Sequence, residues 1–382
     1  MHATTRRQFL IASLAIGGTI ALAACGNPQT GGGQAASGPA VGKPARAPRW
    51  GMTAEQESAW QQIEAAADKE GAITYYGQGI ITPSQVPLFM DTWKKSYPNI
   101  KIDLVNGTTA DVQTRISTEQ DAKTYVGDVG DISVRSGLLE AKRGYSQKFI
   151  PPAAIDATVK WSAERVYGDG DVISDHMTWF PTWINTKLVQ PQDEPTTHLD
   201  FLDPKWKGKI LWYVPWTEGG GWNEYYWTKK VYGMDWVNKM VTQQPAFAQG
   251  SAELMTPLAR GEYAIVLGAT GAGVATQMLR NNQPIKALWL DDFIHGVPTG
   301  HILLKNAPHP NAAKVLLNWW IADAGQRVQS EVIGQFPVRA DIPLRDDWQK
   351  GVDNPKQHFN SADIPEDTAT QTQKEAATYF KK

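Results

Sequence analysis

The chain has 382 residues, a formal charge of −2, 42% hydrophobic residues, 16 tryptophans and one cysteine. That balance excludes a disordered chain and leaves no basic patch of the kind nucleic acid requires. With Cys25 alone, the chain forms no internal disulfide.

The N-terminus reads as an export signal. Thr5-Arg6-Arg7-Gln8-Phe9-Leu10 is a twin-arginine n-region, and residues 9–24 form an uncharged apolar stretch ending in Leu22-Ala23-Ala24-Cys25. The stretch is short against the roughly 20 residues that span a bilayer, and Gly17 and Gly18 interrupt it. A signal peptide over 1–24 is therefore expected rather than a permanent membrane helix. Leu-Ala-Ala-Cys resembles a bacterial lipobox, which implies cleavage before Cys25, a lipid on its thiol and attachment to the membrane. Residues 25–52, rich in glycine and proline, are expected to be a flexible tether.

About 330 residues remain, enough for two domains of ordinary size. Thr53 is a candidate N-cap for a helix over 54–70 closed by Gly71. A strand is predicted over 72–76 with a Gly77-Gln78-Gly79 turn. A helix follows, with Val86, Phe89, Met90, Trp93 and Tyr97 at helical spacing. Residues 100–105 alternate as a strand, Thr108 and Asp111 form a capping-box pattern, and 130–134 is a third strand followed by a Ser136-Gly137 turn. Strand, helix, strand, helix, strand predicts a parallel sheet.

Residues 161–187 break this alternation with Trp161, Tyr167, Trp179, Phe180 and Trp183, and 177–186 reads as extended. A second alternation then begins. Residues 210–214 are strand-like and end at Pro215. The run Trp216-Thr217-Glu218-Gly219-Gly220-Gly221-Trp222 leads into a partly helical stretch through Met240. A glycine-rich turn between strand and helix lies at the carboxyl edge of a sheet, where open α/β sheets bind ligands. The same run is also compatible with a surface loop whose tryptophans belong to the core. Residues 262–267 form another strand, Gly268 to Gly273 a turn, 285–290 a strand, 297–304 an extended segment and 310–321 an amphipathic helix. Asp291 and Asp292 fit a solvated turn or a site for a cation.

In this order the motifs resemble the type 2 periplasmic solute-binding proteins of ABC importers, nearest the branch that binds ferric iron, thiamine, polyamines and aminoalkylphosphonates. The resemblance rests on Ala72–Tyr76, Phe89–Lys101 with its Tyr97-Pro98 turn, Trp183–Val189, Leu202–Ile210, Pro308–Lys314, Gly325-Gln326 and Phe336–Arg339, and covers about residues 70–345. It implies an α/β chain with two lobes, each with a mixed sheet, hinged by crossover strands. The expected divisions are 53–178 plus 298–345 for lobe one and 179–297 plus 346–382 for lobe two.

The resemblance also implies a monomer without a cofactor, capturing a solute outside the cytoplasm and delivering it to a membrane permease. The ligand would lie where strand ends of both lobes meet. The candidate contacts are Gln78, Ser133 and Ser136 from lobe one, Trp216, Thr217, Glu218, Trp222 and Thr270 from lobe two, and Trp179 and Trp183 from the crossover. One departure bears on the ligand. The iron binders carry adjacent tyrosines after the strand that matches Gly261-Glu262-Tyr263-Ala264, but here that loop is Gly268-Ala269-Thr270-Gly271-Ala272. Ferric iron favours phenolate and carboxylate oxygens, so an organic solute fits better and no metal ligand is assigned. Tyr75-Tyr76 and Tyr225-Tyr226 are expected mainly in the core, since neighbours in a strand or helix point to different sides. A carbohydrate, an aromatic acid, a polyamine and a phosphorylated small molecule all remain open.

No catalytic residues stand out. The seven histidines lack metal-type spacing and there is no Gly-x-Ser-x-Gly elbow. A secreted, lipid-anchored enzyme acting on polysaccharides is the alternative from another functional class.

Overall fold

The computed structural model describes residues 49–79 and 81–381. The expected signal peptide, Cys25 and most of the tether lie outside them. Residues 49–52 are folded. Arg49 donates to Glu57 and to Glu64, and Trp50 meets Trp60 edge-on at 5.9 Å.

Among the described residues the elements run α1 (Ala54–Glu70), β1 (Ala72–Gly77), α2 (Val86–Ser96), β2 (Lys101–Asn106), α3 (Thr109–Ala122), β3 (Val129–Ser133), α4 (Val134–Lys142), β4 (Ser146–Gln147), β5 (Val166–Tyr167), β6 (Val172–Trp179) and β7 (Thr182–Asn185). They continue with β8 (Ile210–Tyr213), α5 (Gly220–Thr242), β9 (Ala246–Ala248), α6 (Ser251–Arg260), β10 (Ile265–Leu267), α7 (Val274–Arg280), β11 (Ile285–Leu288) and β12 (Ile294–Leu304). The chain closes with α8 (Pro310–Ile321), α9 (Asp323–Arg327), β13 (Phe336–Pro337), β14 (His358–Asn360) and α10 (Glu366–Phe380).

Local chemistry explains many of these boundaries. Thr53 and Gln56 close a capping box at the start of α1, and Gly71 ends the helix in the left-handed region at φ 68°. Thr108 and Asp111 do the same for the start of α3. Ser133 ends β3 and caps α4, its hydroxyl accepting the N–H of Ser136 at 3.1 Å. The Ser136-Gly137 pair, expected as a turn, is therefore helical. The cap allows chain reversal without a separate turn.

Two mixed sheets result. The first runs β13-β6-β12-β3-β1-β2, with β4 and β14 also on β12 and β5 on β6. Here β1 pairs parallel with β2 and β3, while β12 runs antiparallel to β3 and β6. The second runs β11-β7-β10-β8-β9, with β7 antiparallel to both its neighbours. The chain passes from the first sheet to the second between β6 and β7, at Phe180-Pro181, and returns between β11 and β12. The C-terminal segment crosses again, with β14 pairing to β12 and α10 packing on α5. This is the two-lobed α/β arrangement.

Each lobe has an aromatic core. In the first, Phe89 stacks on Trp320 at 5.1 Å, beside Trp93 and Trp319. In the second, Trp212 meets Trp236, Phe247 and Phe380. Tyr75, Tyr76, Tyr225 and Tyr226 are all buried. No described helix is long and apolar enough to cross a membrane.

Candidate functional site

The parallel strands of both sheets end near one another. At the end of β1, Gln78 donates its side-chain amide to Asp131 at 2.9 Å and accepts from the Thr109 hydroxyl at 2.9 Å. Asp131 is fully buried, and burial raises its carboxyl above the usual range. At the end of β3, Ser133 and Ser136 present their hydroxyls at the first turn of α4.

Facing them from the second lobe is the turn after β8. The Glu218 carboxylate lies 3.4 Å from the Ser133 hydroxyl, 3.4 Å from the Ser136 hydroxyl and 3.2 Å from Nη1 of Arg135. The Arg135 guanidinium also lies over the Trp222 ring, 5.3 Å from its centroid. Trp222 is buried and donates its indole N–H to Thr372 at 3.0 Å. Ser133, Ser136, Glu218 and Trp222 are thus brought together around Arg135. Sequence reasoning did not select Arg135. Its position between two serines at a helix start was the available signal.

The glycine run has a definite use. A Cβ on Gly221 would overlap the Tyr213 carbonyl, and one on Gly220 would overlap the Gly268 carbonyl. Gly268 itself has φ 74° and sits against Gly221. These glycines let the start of α5 press on the ends of β8 and β10. Their close approach is backbone to backbone, and it fixes where Glu218 emerges.

The other candidates are spread wider. Thr217, next to Glu218, has a buried hydroxyl with no partner. Trp216 is half-buried and meets Phe247 edge-on at 5.1 Å. Thr270 is half-buried, its hydroxyl accepting the Ala272 N–H at 3.4 Å. Trp183 is fully buried in the second lobe, with its N–H on the Ala269 carbonyl. Trp179 packs against His358 at the hinge and lines a cavity of about 560 Å³ with Met177 and Phe336.

A buried ionic cluster beside the hinge escaped sequence reasoning. Glu224 on α5 lies 2.8 Å from His295 on β12 and 3.3 Å from His198, and Asp292 lies 2.9 Å from His198. Asp292, expected in a solvated turn or a cation site, is instead held by His198 and the Tyr232 hydroxyl. Burial alone would lower the His198 pKa, but Glu224 and Asp292 hold it up at about 9. Burial alone would raise Glu224, but His198 and His295 hold it down at about 2. Among the described residues, no group of three or more acidic, histidine or cysteine side chains is arranged to hold a metal ion.

Comparison with known proteins agrees with this architecture. No curated protein matches the sequence. The substrate-binding protein of an Agrobacterium tumefaciens ABC transporter superposes with a TM-score of 0.68 at 13% identity, covering 81% of this chain and 94% of that one. Iron-bound HitA from Pseudomonas aeruginosa gives 0.63 at 17% identity, with coverage of 81% and 98%. AfuA from Actinobacillus pleuropneumoniae, with fructose-6-phosphate bound, gives 0.60 at 15% identity over the same shares. At these identities the likeness establishes the fold.

The family model described as bacterial extracellular solute-binding protein matches residues 89–356. Its members bind solutes and are not enzymes, so the reading as a polysaccharide-active enzyme is set aside. Two hinged α/β lobes and a match across most of the chain make this protein a member of the bacterial extracellular solute-binding proteins, the extracytoplasmic binding components of ABC transporters.

Proposed function

We propose that this chain captures a small organic solute between its two lobes and delivers it to a membrane permease, while a lipid on Cys25 holds it at the membrane. The observation that carries this reading is the meeting of Glu218 with Ser133, Arg135 and Ser136, because strand ends and helix starts of both lobes contribute to one polar cluster. Lobe closure over a solute is a population shift, so the solute must bind the closed arrangement better than the open one. HitA is an iron binder by its description, and AfuA holds a sugar phosphate. An organic solute is favoured over ferric iron because the loop after β10 lacks adjacent tyrosines and an arginine faces the cluster.

Native mass spectrometry of the gently purified protein tests this reading, followed by thermal stabilisation with the solute identified. Expected is a bound organic mass that dissociates on denaturation and raises the melting temperature when returned. Bound iron as the stoichiometric ligand would overturn the organic reading. The absence of any stabilising solute across a metabolite panel would overturn capture itself.

A further inference from the structure

We propose that Glu218 is a built-in competitor for an anion subsite formed by Arg135, Ser133, Ser136 and the start of α4, and that the solute's head group is a carboxylate or phosphate that displaces it. This rests on the solute-binding reading and deepens it.

The cluster is asymmetric. The Arg135 side chain is only 10% exposed, whereas Glu218 is 35% exposed. Arg135 is fixed by the helix and by the Trp222 face. Glu218 stands on the turn that ends at Gly219, whose φ of 145° belongs to the glycine region. The arginine is therefore scaffold, and the glutamate is the partner that can leave.

Three observations make the scaffold side an anion site. A carboxylate already occupies it, within reach of two hydroxyls and a guanidinium. Nε of Arg135 is buried with no partner, so this side chain has donor capacity that Glu218 leaves unused. The α4 N-terminus adds its positive end in the same place.

A phosphate or carboxylate reproduces the contacts that Glu218 makes with Arg135, Ser133 and Ser136. A neutral or cationic solute would leave Arg135 without a counter-charge when it displaced Glu218, which is costly at this burial. Glu218 therefore sets a threshold. It keeps Arg135 paired in the resting protein and makes anion binding an exchange of one carboxylate for another anion.

The test is isothermal calorimetry with inorganic phosphate and with acetate on the wild type, Glu218→Gln, Arg135→Gln and the double variant. Melting temperatures serve as a fold check. Removing the competing charge is expected to tighten binding of at least one of the two anions about tenfold, the scale of one charge-assisted contact. Arg135→Gln, alone or in the double variant, is expected to abolish binding. The anion that gains more identifies the head group.

Equal anion affinity in wild type and Glu218→Gln, weaker affinity in the variant, or no anion binding to either would overturn the proposal. So would anion binding that survives Arg135→Gln. A neutral or cationic solute recovered from the native protein, and weakened by Glu218→Gln, would overturn the anion subsite while leaving the solute-binding reading standing. Failure of that reading is instead seen as no solute stabilising the wild type at all.

Discussion

Glu224 on α5 and His295 on β12 meet at 2.8 Å, and both are almost completely buried. The pair joins the first helix after the glycine run to the strand that carries the chain back to the first sheet. His198 and Asp292 extend it, and Phe293 stacks on His198 with centroids 3.9 Å apart.

Removing one partner of such a pair leaves an uncompensated buried group. Glu224→Gln is expected to cost about 3 kcal/mol or more in chemical denaturation.

The pH dependence follows from the two shifts. His198 is raised from 6.5 to about 9, so its contribution is complete below pH 6.5 and is lost as pH rises through about 9. Glu224 is lowered from 4.5 to about 2, so its contribution is complete above pH 4.5 and is lost as pH falls through about 2. Stability of the wild type is expected to be highest between pH 4.5 and 6.5 where this cluster dominates, with a fall toward pH 9. Denaturation midpoints measured across this range check it. Glu224→Gln should flatten the alkaline fall.

Gly221→Ala is expected to damage the second lobe. The added methyl would overlap the Tyr213 carbonyl, a backbone atom that cannot rotate aside. Overpacking of this kind costs roughly 1–3 kcal/mol. The melting temperature should fall accordingly in thermal scans, and a wild-type melting temperature would mean that the start of α5 tolerates the methyl.

The fold was legible because its signals are local. Thr53, Thr108 and Asp111 mark helix starts through side chains that accept nearby backbone N–H groups, Gly71 marks a helix end through its own N–H, and the strand periods identified both α/β units. Ser136-Gly137 was misread because the cap on α4 comes from Ser133, at the end of a strand. Residues of the site were legible as strand-end and turn residues, but Arg135 was not. Its significance comes from Glu218, 83 positions away, and from the Trp222 face. The cluster of Glu224, His198, His295 and Asp292 was hidden for the same reason, since no spacing in the chain relates α5 to β12.

Trp216→Ala separates packing from stacking. The ring meets Phe247 edge-on, so its loss is expected to cost about 1–2 kcal/mol of stability. A ligand role for Trp216 predicts a further loss of affinity on the order of 1 kcal/mol. Calorimetry with the natively bound solute reads this directly. Unchanged affinity would confine Trp216 to the core of the second lobe.

Cys25→Ala should release the protein from the membrane. Under the proposed lipid attachment, the lipobox-like Leu22-Ala23-Ala24-Cys25 would supply the thiol, and no described helix is long and apolar enough to cross a membrane. Fractionation of cells carrying the variant is expected to move the protein into the soluble or secreted fraction. Retention in the membrane fraction would refute lipid attachment at Cys25.

The C-terminal helix α10 lies beyond the residues matched by the family model, yet it completes the second core. Phe380 meets Trp212 edge-on at 5.2 Å, Glu375 accepts from Tyr225 at 2.6 Å and from Lys229 at 2.6 Å, and Thr372 accepts the Trp222 N–H. Phe380→Ala is expected to cost about 3–5 kcal/mol, because the cavity would open among large, rigid aromatic rings that cannot collapse into it. Removal of residues 365–382 should cost more and should also weaken anion binding, since Trp222, the ring beneath Arg135, would lose its partner in Thr372. Denaturation followed by tryptophan fluorescence measures the first effect, and phosphate calorimetry on the Glu218→Gln background measures the second. A truncated chain with wild-type stability would mean that α10 contributes nothing to the second lobe, contrary to the burial of Phe380 and Thr372.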